Sequence, residues 1–297
     1  SLGEQVVLLG LGERMHGGEE FLMIRIRLFR YLVEQHGFRA IAIESSYPRG
    51  LLVNDFISGR GPDTYEDLEE AGFSHGFGSL EANRELALWM REYNRDTAGP
   101  LPLRFYGCDS PTEMMQTGSP RQVLGVAIRY LTDLDPGTGH AYQDRITPLL
   151  GDDAVWECPE AMMDPSRSAG SSPAAREFRI EVEDLITDLR RCGPGMVAAA
   201  GPDRYAEALH AARMARDLLT YHALVSRPSP DRISRLLGLR DMMMADTLSS
   251  IVSRERDRGR VLVFAHNGHL KCGSMTWNLA GTEQRWLAAG AHLRHRL

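Results

Sequence analysis

Four short apolar runs, spaced along a chain of otherwise amphipathic character, are the feature that most constrains the fold. They occupy residues 6–9, 40–43, 103–106 and 261–264. Runs of this length, bounded by charged residues or glycine, are typical of buried strands. Helical spacing of apolar residues over 19–35 and 80–93 separates the first three runs, and Gly37 closes the first helix. This alternation predicts an α/β fold with a mainly parallel sheet flanked by helices.

The segment between the third and fourth runs has a different character. From about 120 to 258 helical patterns dominate, and no convincing strand is present. We therefore predict an α/β catalytic core formed by 1–119 and 259–297. Residues 120–258 are then a helical insertion that forms one wall of the active-site cleft.

One stretch of the insertion, residues 151–175, is rich in Gly, Asp, Pro and Ser. Loops of this length usually bind ligands or are mobile. Trp156, Met162 and Met163 would give it an apolar face for a greasy substrate. We predict a possible lid at 151–175 that is poorly ordered without substrate.

Ionisable side chains follow all four predicted strands. They are Glu13 and His16 after the first, Glu44 after the second, Asp109 after the third, and His266 and His269 after the fourth. In an open parallel sheet, ligands bind outside the carboxyl ends of the strands. Buried strands have no structural need for charge at one particular end, so the repeated pattern predicts an active site there.

Several functional classes are excluded by composition and by missing motifs. The 297 residues carry a net charge of -6, which does not favour nucleic acid or an anionic membrane as a partner. No apolar stretch approaches the roughly 20 residues of a spanning helix. Gly10-Leu11-Gly12 lacks the third glycine of a dinucleotide fingerprint, and Glu13 would repel phosphates. No Gly-x-Ser-x-Gly elbow is present, so a common Ser-His-Asp hydrolase is not expected.

The surroundings of the protein are predicted only in outline. Four widely spaced cysteines form no Cys-x-x-Cys pair and do not suggest a disulfide framework, so a cytoplasmic location is the default. The chain begins with Ser1, without a basic and then apolar leader, which fits a trimmed or mature end. The oligomeric state has no signature in the sequence.

A set of ordered segments resembles the erythromycin esterase family, which inactivates macrolides. The segments are Gly12-Glu13-Arg14-Met15-His16-Gly17, then Arg25, Ile43-Glu44, Gly107-Cys108-Asp109, Arg240-Asp241 and Ala265-His266-Asn267-Gly268-His269. The chain departs from the family in having Met15 where threonine is usual, and in being shorter at both ends. The resemblance implies a carboxylic ester hydrolase linked to antibiotic resistance, with a small-molecule substrate.

The resemblance also implies roles for the strand-end residues. His16 is expected to be the general base for a water that attacks an ester or lactone directly, with Glu44 and Glu13 in support. Arg25, His266 and His269 are expected to stabilise the oxyanion or protonate the leaving group. Four further residues are expected to bind substrate or to support these groups: Asp109, Arg240, Asn267 and Met15. Glu44 paired with Arg25 as a purely structural ion pair stays an alternative.

Two other functions stay open. The same site could serve a cyclase, lyase or transferase of natural-product biosynthesis, and Met15 with the Met242-Met243-Met244 run would suit an apolar pocket. Alternatively, the histidines could bind metal or haem without catalysis. We expect no cofactor, although a divalent metal is possible because Glu13, His16, Glu44, His266 and His269 are all suitable ligands.

Overall fold

The computed structural model describes residue 3 and residues 5–96, 101–112 and 117–297. Its central feature is a four-stranded sheet in which every pair of neighbours is parallel. The strands are β1 (Leu8–Glu13), β2 (Phe38–Ser46), β3 (Arg104–Asp109) and β4 (Arg260–His266). They are ordered β1-β4-β2-β3, so the last strand of the sheet in sequence lies between the first two. The predicted parallel α/β fold is confirmed.

Helices account for most of the remaining chain. In order they are α1 (Glu19–His36), α2 (Tyr47–Ile57), α3 (Glu66–Glu69), α4 (Glu81–Asp96), α5 (Arg121–Leu134), α6 (Pro136–Leu150), α7 (Asp153–Trp156), α8 (Pro173–Arg191), α9 (Gly193–Ala200), α10 (Pro202–Val225), α11 (Arg232–Glu255), α12 (Asn267–Leu270) and α13 (Ala289–Leu293). A two-stranded sheet, β5 (Ser274–Leu279) and β6 (Thr282–Leu287), precedes α13. No helix of the described ranges is long and apolar enough to cross a membrane.

The chain divides into two compact units. The first comprises Ser1–Ser110, Met244–Trp277 and Arg285–Leu297, and the second comprises Pro111–Met243 and Asn278–Gln284. The first unit contains the parallel sheet, and the second contains α5 to α10 together with the first half of α11.

The first unit buries both faces of its sheet. Alternate residues of a strand point to opposite faces. In β2, Ile41 and Ile43 therefore pack in a core cluster with α1, α2 and α4, while Ala40 and Ala42 pack on the other side with the end of α11. Burial on both faces explains why these strands are apolar without polar alternation.

Helix α1 carries the chain from the end of β1 back to the start of β2. Glu19 and Glu20 lie in its first turn, where the helix dipole favours negative charge. Gly37 ends it in the left-handed conformation, with φ 67°, and its N–H donates to the Leu32 carbonyl. The predicted helix and its glycine cap are both observed.

The second unit includes the segment that was predicted to be a lid. Instead of one continuous loop, residues 151–175 form α7, three short 3-10 turns and the start of α8. Trp156 is buried against Phe178 and His222, and Met162 is also buried, whereas Met163 is exposed. Two of the three apolar side chains that we expected to face a substrate therefore belong to the core of this unit. Closure over a substrate stays a prediction.

Candidate active site

The carboxyl edge of the sheet brings together residues that are far apart in sequence. Glu13 ends β1 and lies beside His266, which ends the neighbouring strand β4. Glu44 lies two residues before the end of β2, and Asp109 ends β3. Glu13, Glu44 and Asp109 are all buried. Because the strands are parallel, these groups and the residues that follow them share one edge, as predicted.

His16 is held by a carboxylate. Its Nδ1 lies 2.7 Å from Glu13 Oε1, and Glu13 is buried whereas the His16 side chain is about one-third exposed. An ionised carboxylate can only accept a hydrogen bond, so the neutral imidazole carries its proton on Nδ1. Nε2 then keeps its lone pair, and it lies 3.7 Å from Glu44 Oε1. This arrangement suits a general base.

Glu44, near the end of β2, contacts residues at the ends of β1 and β4. Its Oε2 accepts a hydrogen bond from the His266 backbone N–H at 2.7 Å. Its Oε1 lies 3.2 Å from His269 Nε2 and also faces His16. His269 can therefore donate from Nε2 to Glu44, and its side chain is largely buried. A buried carboxylate with a backbone donor on one oxygen is held in a fixed orientation.

His266 has a different environment from His16. Its Nε2 donates to the Arg14 carbonyl at 3.0 Å, and its Nδ1 accepts from the Gly268 N–H at 3.1 Å. Both ring nitrogens are thus bonded to the backbone, in a neutral tautomer. The ring fastens the segment that carries His16 to the end of β4, and the two rings lie 5.6 Å apart.

His75 belongs to the same group, and sequence reasoning missed it. Its ring stacks on Phe77 with centroids 5.0 Å apart and lies 5.8 Å from the His16 ring. Its Nε2 is 3.9 Å from Asp109 Oδ2. His75 has φ 58°, a conformation that non-glycine residues adopt rarely and that clusters at functional sites.

One group of side chains in the described ranges has metal-ligand geometry. One ligand atom each from Glu44, His75 and Asp109 lies within 4.8 Å of the others. Nitrogen and oxygen ligands of this kind suit zinc or another transition metal. The group shares only Glu44 with the ligand set that we predicted from the sequence.

Arg25 lies behind Glu13 rather than at the surface. Only 1% of it is exposed, its Nη2 donates to Asn83 Oδ1 at 2.8 Å, and its guanidinium lies 5.0 Å from the centre of the Phe264 ring. Burial lowers the pKa of Arg25 to about 10, and the charge of Glu13 opposes that shift. This position does not favour the predicted electrophilic role, which requires contact with substrate.

The remaining predicted residues are placed as follows. Asn267 begins α12 beside Gly12, where a Cβ would overlap its Oδ1. Met15 is 74% exposed next to His16. Arg240 lies on α11, in the part of that helix that belongs to the second unit.

The protein is thus a parallel α/β protein in which histidines lie against buried carboxylates at the carboxyl edge of the sheet. The erythromycin esterase family model matches residues 33–297 of this chain. That match covers most of the sequence, and the protein belongs to the erythromycin esterase family, as the sequence resemblance predicted.

Individual relatives agree with this assignment. Erythromycin esterase type II of Escherichia coli is 26% identical over 273 residues, which cover 89% of this chain and 60% of the relative. Erythromycin esterase type I of Escherichia coli is 22% identical over 303 residues, which cover 100% of this chain and 69% of the relative. The chain thus spans about three-fifths to two-thirds of the length of these curated relatives.

Solved structures show the same fold. A Bacillus cereus protein matches with a TM-score of 0.73 at 19% identity, over 97% of this chain and 62% of that one. A mutant of the erythromycin esterase EreC in its open conformation matches with a TM-score of 0.68 at 22% identity, over 99% of this chain and 68% of that one.

Proposed function

We propose that this protein hydrolyses an ester or lactone by direct attack of water, without a covalent intermediate. The observation that carries the proposal is the His16–Glu13 pair, in which Nδ1 is bonded to a buried carboxylate and Nε2 faces Glu44. A neutral imidazole held in this tautomer can take a proton from water.

The neighbouring groups have complementary roles in this scheme. His16 Nε2 removes a proton from the attacking water, and Glu13 stabilises the imidazolium that forms. Glu44 orients the water, because its Oε1 lies within one water's reach of His16 Nε2. His269, which can donate from Nε2, stabilises the oxyanion, and the proton that His16 took from water passes to the leaving alkoxide.

The substrate class is proposed from the family. The curated relatives are named erythromycin esterases, so macrolide lactones are the first candidates, followed by simple esters. Met15, exposed beside His16, adds an apolar surface next to the proposed base. A cyclase, lyase or transferase would use the same residues with a substrate hydroxyl or amine in place of water.

Labelling with ¹⁸O distinguishes hydrolysis by water from the alternative reactions. Erythromycin and a panel of 4-nitrophenyl esters are incubated with the enzyme in ¹⁸O-labelled water, and the products are analysed by mass spectrometry. We expect one labelled oxygen in the acid product and no acyl adduct on the protein after rapid acid quenching. A product without label would indicate a cyclase or transferase, and a trapped acyl-enzyme would contradict direct attack by water.

A metal-dependent reaction is a second candidate, supported by the grouping of Glu44, His75 and Asp109. A bound transition metal would lower the pKa of a coordinated water. Metal analysis of protein purified without a histidine tag, before and after chelation, tests this candidate. Stoichiometric metal whose removal abolishes activity would favour it over direct activation by His16.

A further inference from the structure

Two buried polar atoms next to His16 have no hydrogen-bond partner within the described residues. They are Glu13 Oε2 and Arg25 Nε. Glu13 is 4% exposed and Arg25 is 1% exposed, so bulk water does not reach either group. A buried charged group that lacks such a bond keeps the full desolvation penalty of its burial. Native structures rarely leave two neighbouring groups in this condition.

Both groups line one small cavity. Its walls also include Glu44, Asn83 and Phe77. The cavity volume is about 10 Å³, measured as the space open to the centre of a water molecule. This is close to the minimum that one ordered water requires. Most of the walls are apolar, but two carboxylates, a guanidinium and an amide also line the cavity, so a buried water has hydrogen-bond partners there.

The other carboxylate oxygen of Glu13 and one terminal nitrogen of Arg25 are already hydrogen-bonded. Glu13 Oε1 binds His16 Nδ1, and Arg25 Nη2 donates to Asn83 Oδ1. Asn83 is itself fastened, since its Nδ2 donates to the Phe77 carbonyl at 2.9 Å. The guanidinium is therefore held from the side of α4, while its Nε has no hydrogen-bond partner among the described residues.

We propose that one water molecule occupies this cavity, accepts a hydrogen bond from Arg25 Nε and donates one to Glu13 Oε2. Arg25 is then a positioning residue that acts through the water on Glu13, and through Glu13 on His16. It holds the carboxylate in the orientation in which Oε1 binds His16 Nδ1. Arg25 does not contact substrate in this arrangement.

A crystal structure of the unmodified protein at about 1.5 Å resolution tests the water site without reference to activity. We expect an ordered water within hydrogen-bond distance, about 2.7–3.2 Å, of both Glu13 Oε2 and Arg25 Nε. An empty cavity, or direct contact between the carboxylate and the guanidinium, would overturn the proposal.

The positioning role rests on the proposed hydrolysis and is tested by a double-mutant cycle with 4-nitrophenyl acetate. Arg25→Met should lower kcat in the wild-type background but have little further effect in Glu13→Gln, a coupling of about tenfold. Arg27→Met, at an exposed position of the same helix, is the matched control. Additive losses would show that Arg25 acts independently of Glu13 and would overturn the role.

The two experiments separate the possible failures. If the wild-type enzyme hydrolyses no ester, the proposed function fails while the crystal structure still decides the water site. If Arg25→Met does not fold, the double-mutant cycle cannot be completed, and a crystal structure of Glu13→Asp tests the positioning role in its place. We expect the shorter aspartate side chain to withdraw its carboxylate oxygen from His16 Nδ1 while the water stays bonded to Arg25 Nε. Loss of the hydrogen bond between the water and Arg25 would overturn the proposal.

Discussion

His16 and His266 lie at the same edge of the sheet, but their rings have different hydrogen-bond partners and therefore different chemical properties. His16 bonds a carboxylate through Nδ1, which leaves Nε2 suited to accept a proton. His266 bonds backbone groups through both nitrogens and therefore fastens the chain. The sequence predicts that both lie at the carboxyl edge, but the tautomer depends on hydrogen bonds made only in the folded chain.

His75 and Asn83 could not be predicted from the same reasoning. Neither follows a strand, and neither lies in a segment that carries the family resemblance. His75 joins the site through a loop in which Gly76 also has positive φ, and Asn83 reaches Arg25 from α4. Their positions depend on packing between distant segments, for which a single sequence has no local signal.

His222, a buried histidine outside the candidate site, makes the free energy of unfolding depend on pH below neutrality. His222 donates from Nε2 to the Gly118 carbonyl, and burial lowers its pKa from 6.5 to about 4. As the pH falls below 6.5, His222 becomes protonated in the unfolded chain, whereas in the folded chain it stays neutral until about pH 4. Unfolding is therefore favoured across that window, by up to about 3 kcal/mol for this one group.

Urea unfolding at pH 7.5 and at pH 4.5 measures this effect. His222→Gln keeps an N–H donor but cannot titrate, so we expect it to lose less stability than the wild type between the two pH values. His295→Gln, at an exposed position, serves as the control. Equal pH dependence in the wild type and His222→Gln would show that His222 does not cause the acid sensitivity.

At the scale of elements, strong local patterns were sufficient for much of the fold. The four parallel strands and α1 were predicted within a few residues of their observed bounds. β6 was missed because its residues are mostly exposed and show no apolar alternation. β5 alternates polar residues with Met275, Trp277 and Leu279, so its strand pattern was overlooked. α6 was missed because its first turn contains Pro136, Gly137 and Gly139, and Pro148 lies near its end.

Helix α2 was also missed, and its packing explains why its glycine matters. A Cβ on Gly50 would overlap the backbone of Gly107 in β3, so helix and strand approach each other closely. Gly50→Ala should therefore destabilise the protein by about 1–3 kcal/mol, the usual cost of overpacking. Urea unfolding provides the measurement.

The chain offers a matched control for this substitution. Gly195 lies on α9 with nothing near the position of a Cβ, so Gly195→Ala should be neutral or stabilising by up to about 1 kcal/mol. If Gly50→Ala were as well tolerated as Gly195→Ala, the close contact between α2 and β3 would not constrain this site.

At the scale of the whole molecule, one insertion accounts for the order of the elements. The chain leaves the sheet after β3, forms the second unit, and returns at Met244. We predicted the insertion at 120–258, whereas the last part of α11, including Leu248, Ile251 and Val252, packs on the sheet. The sequence of an amphipathic helix does not indicate which unit its apolar face will pack against. The end of the insertion within α11 could therefore not be predicted from the sequence.

The central claim is that His16, held by Glu13, is the general base of an esterase, and kinetics of His16→Ala test it most directly. With an ester that the wild-type enzyme hydrolyses, we predict a fall in kcat of about 10²–10⁴. Thermal unfolding should be unchanged, because His16 is partly exposed. His295→Ala, an exposed histidine outside the site, should retain full activity. A His16→Ala enzyme that folds normally and keeps its kcat within a few-fold of wild type would contradict the claim.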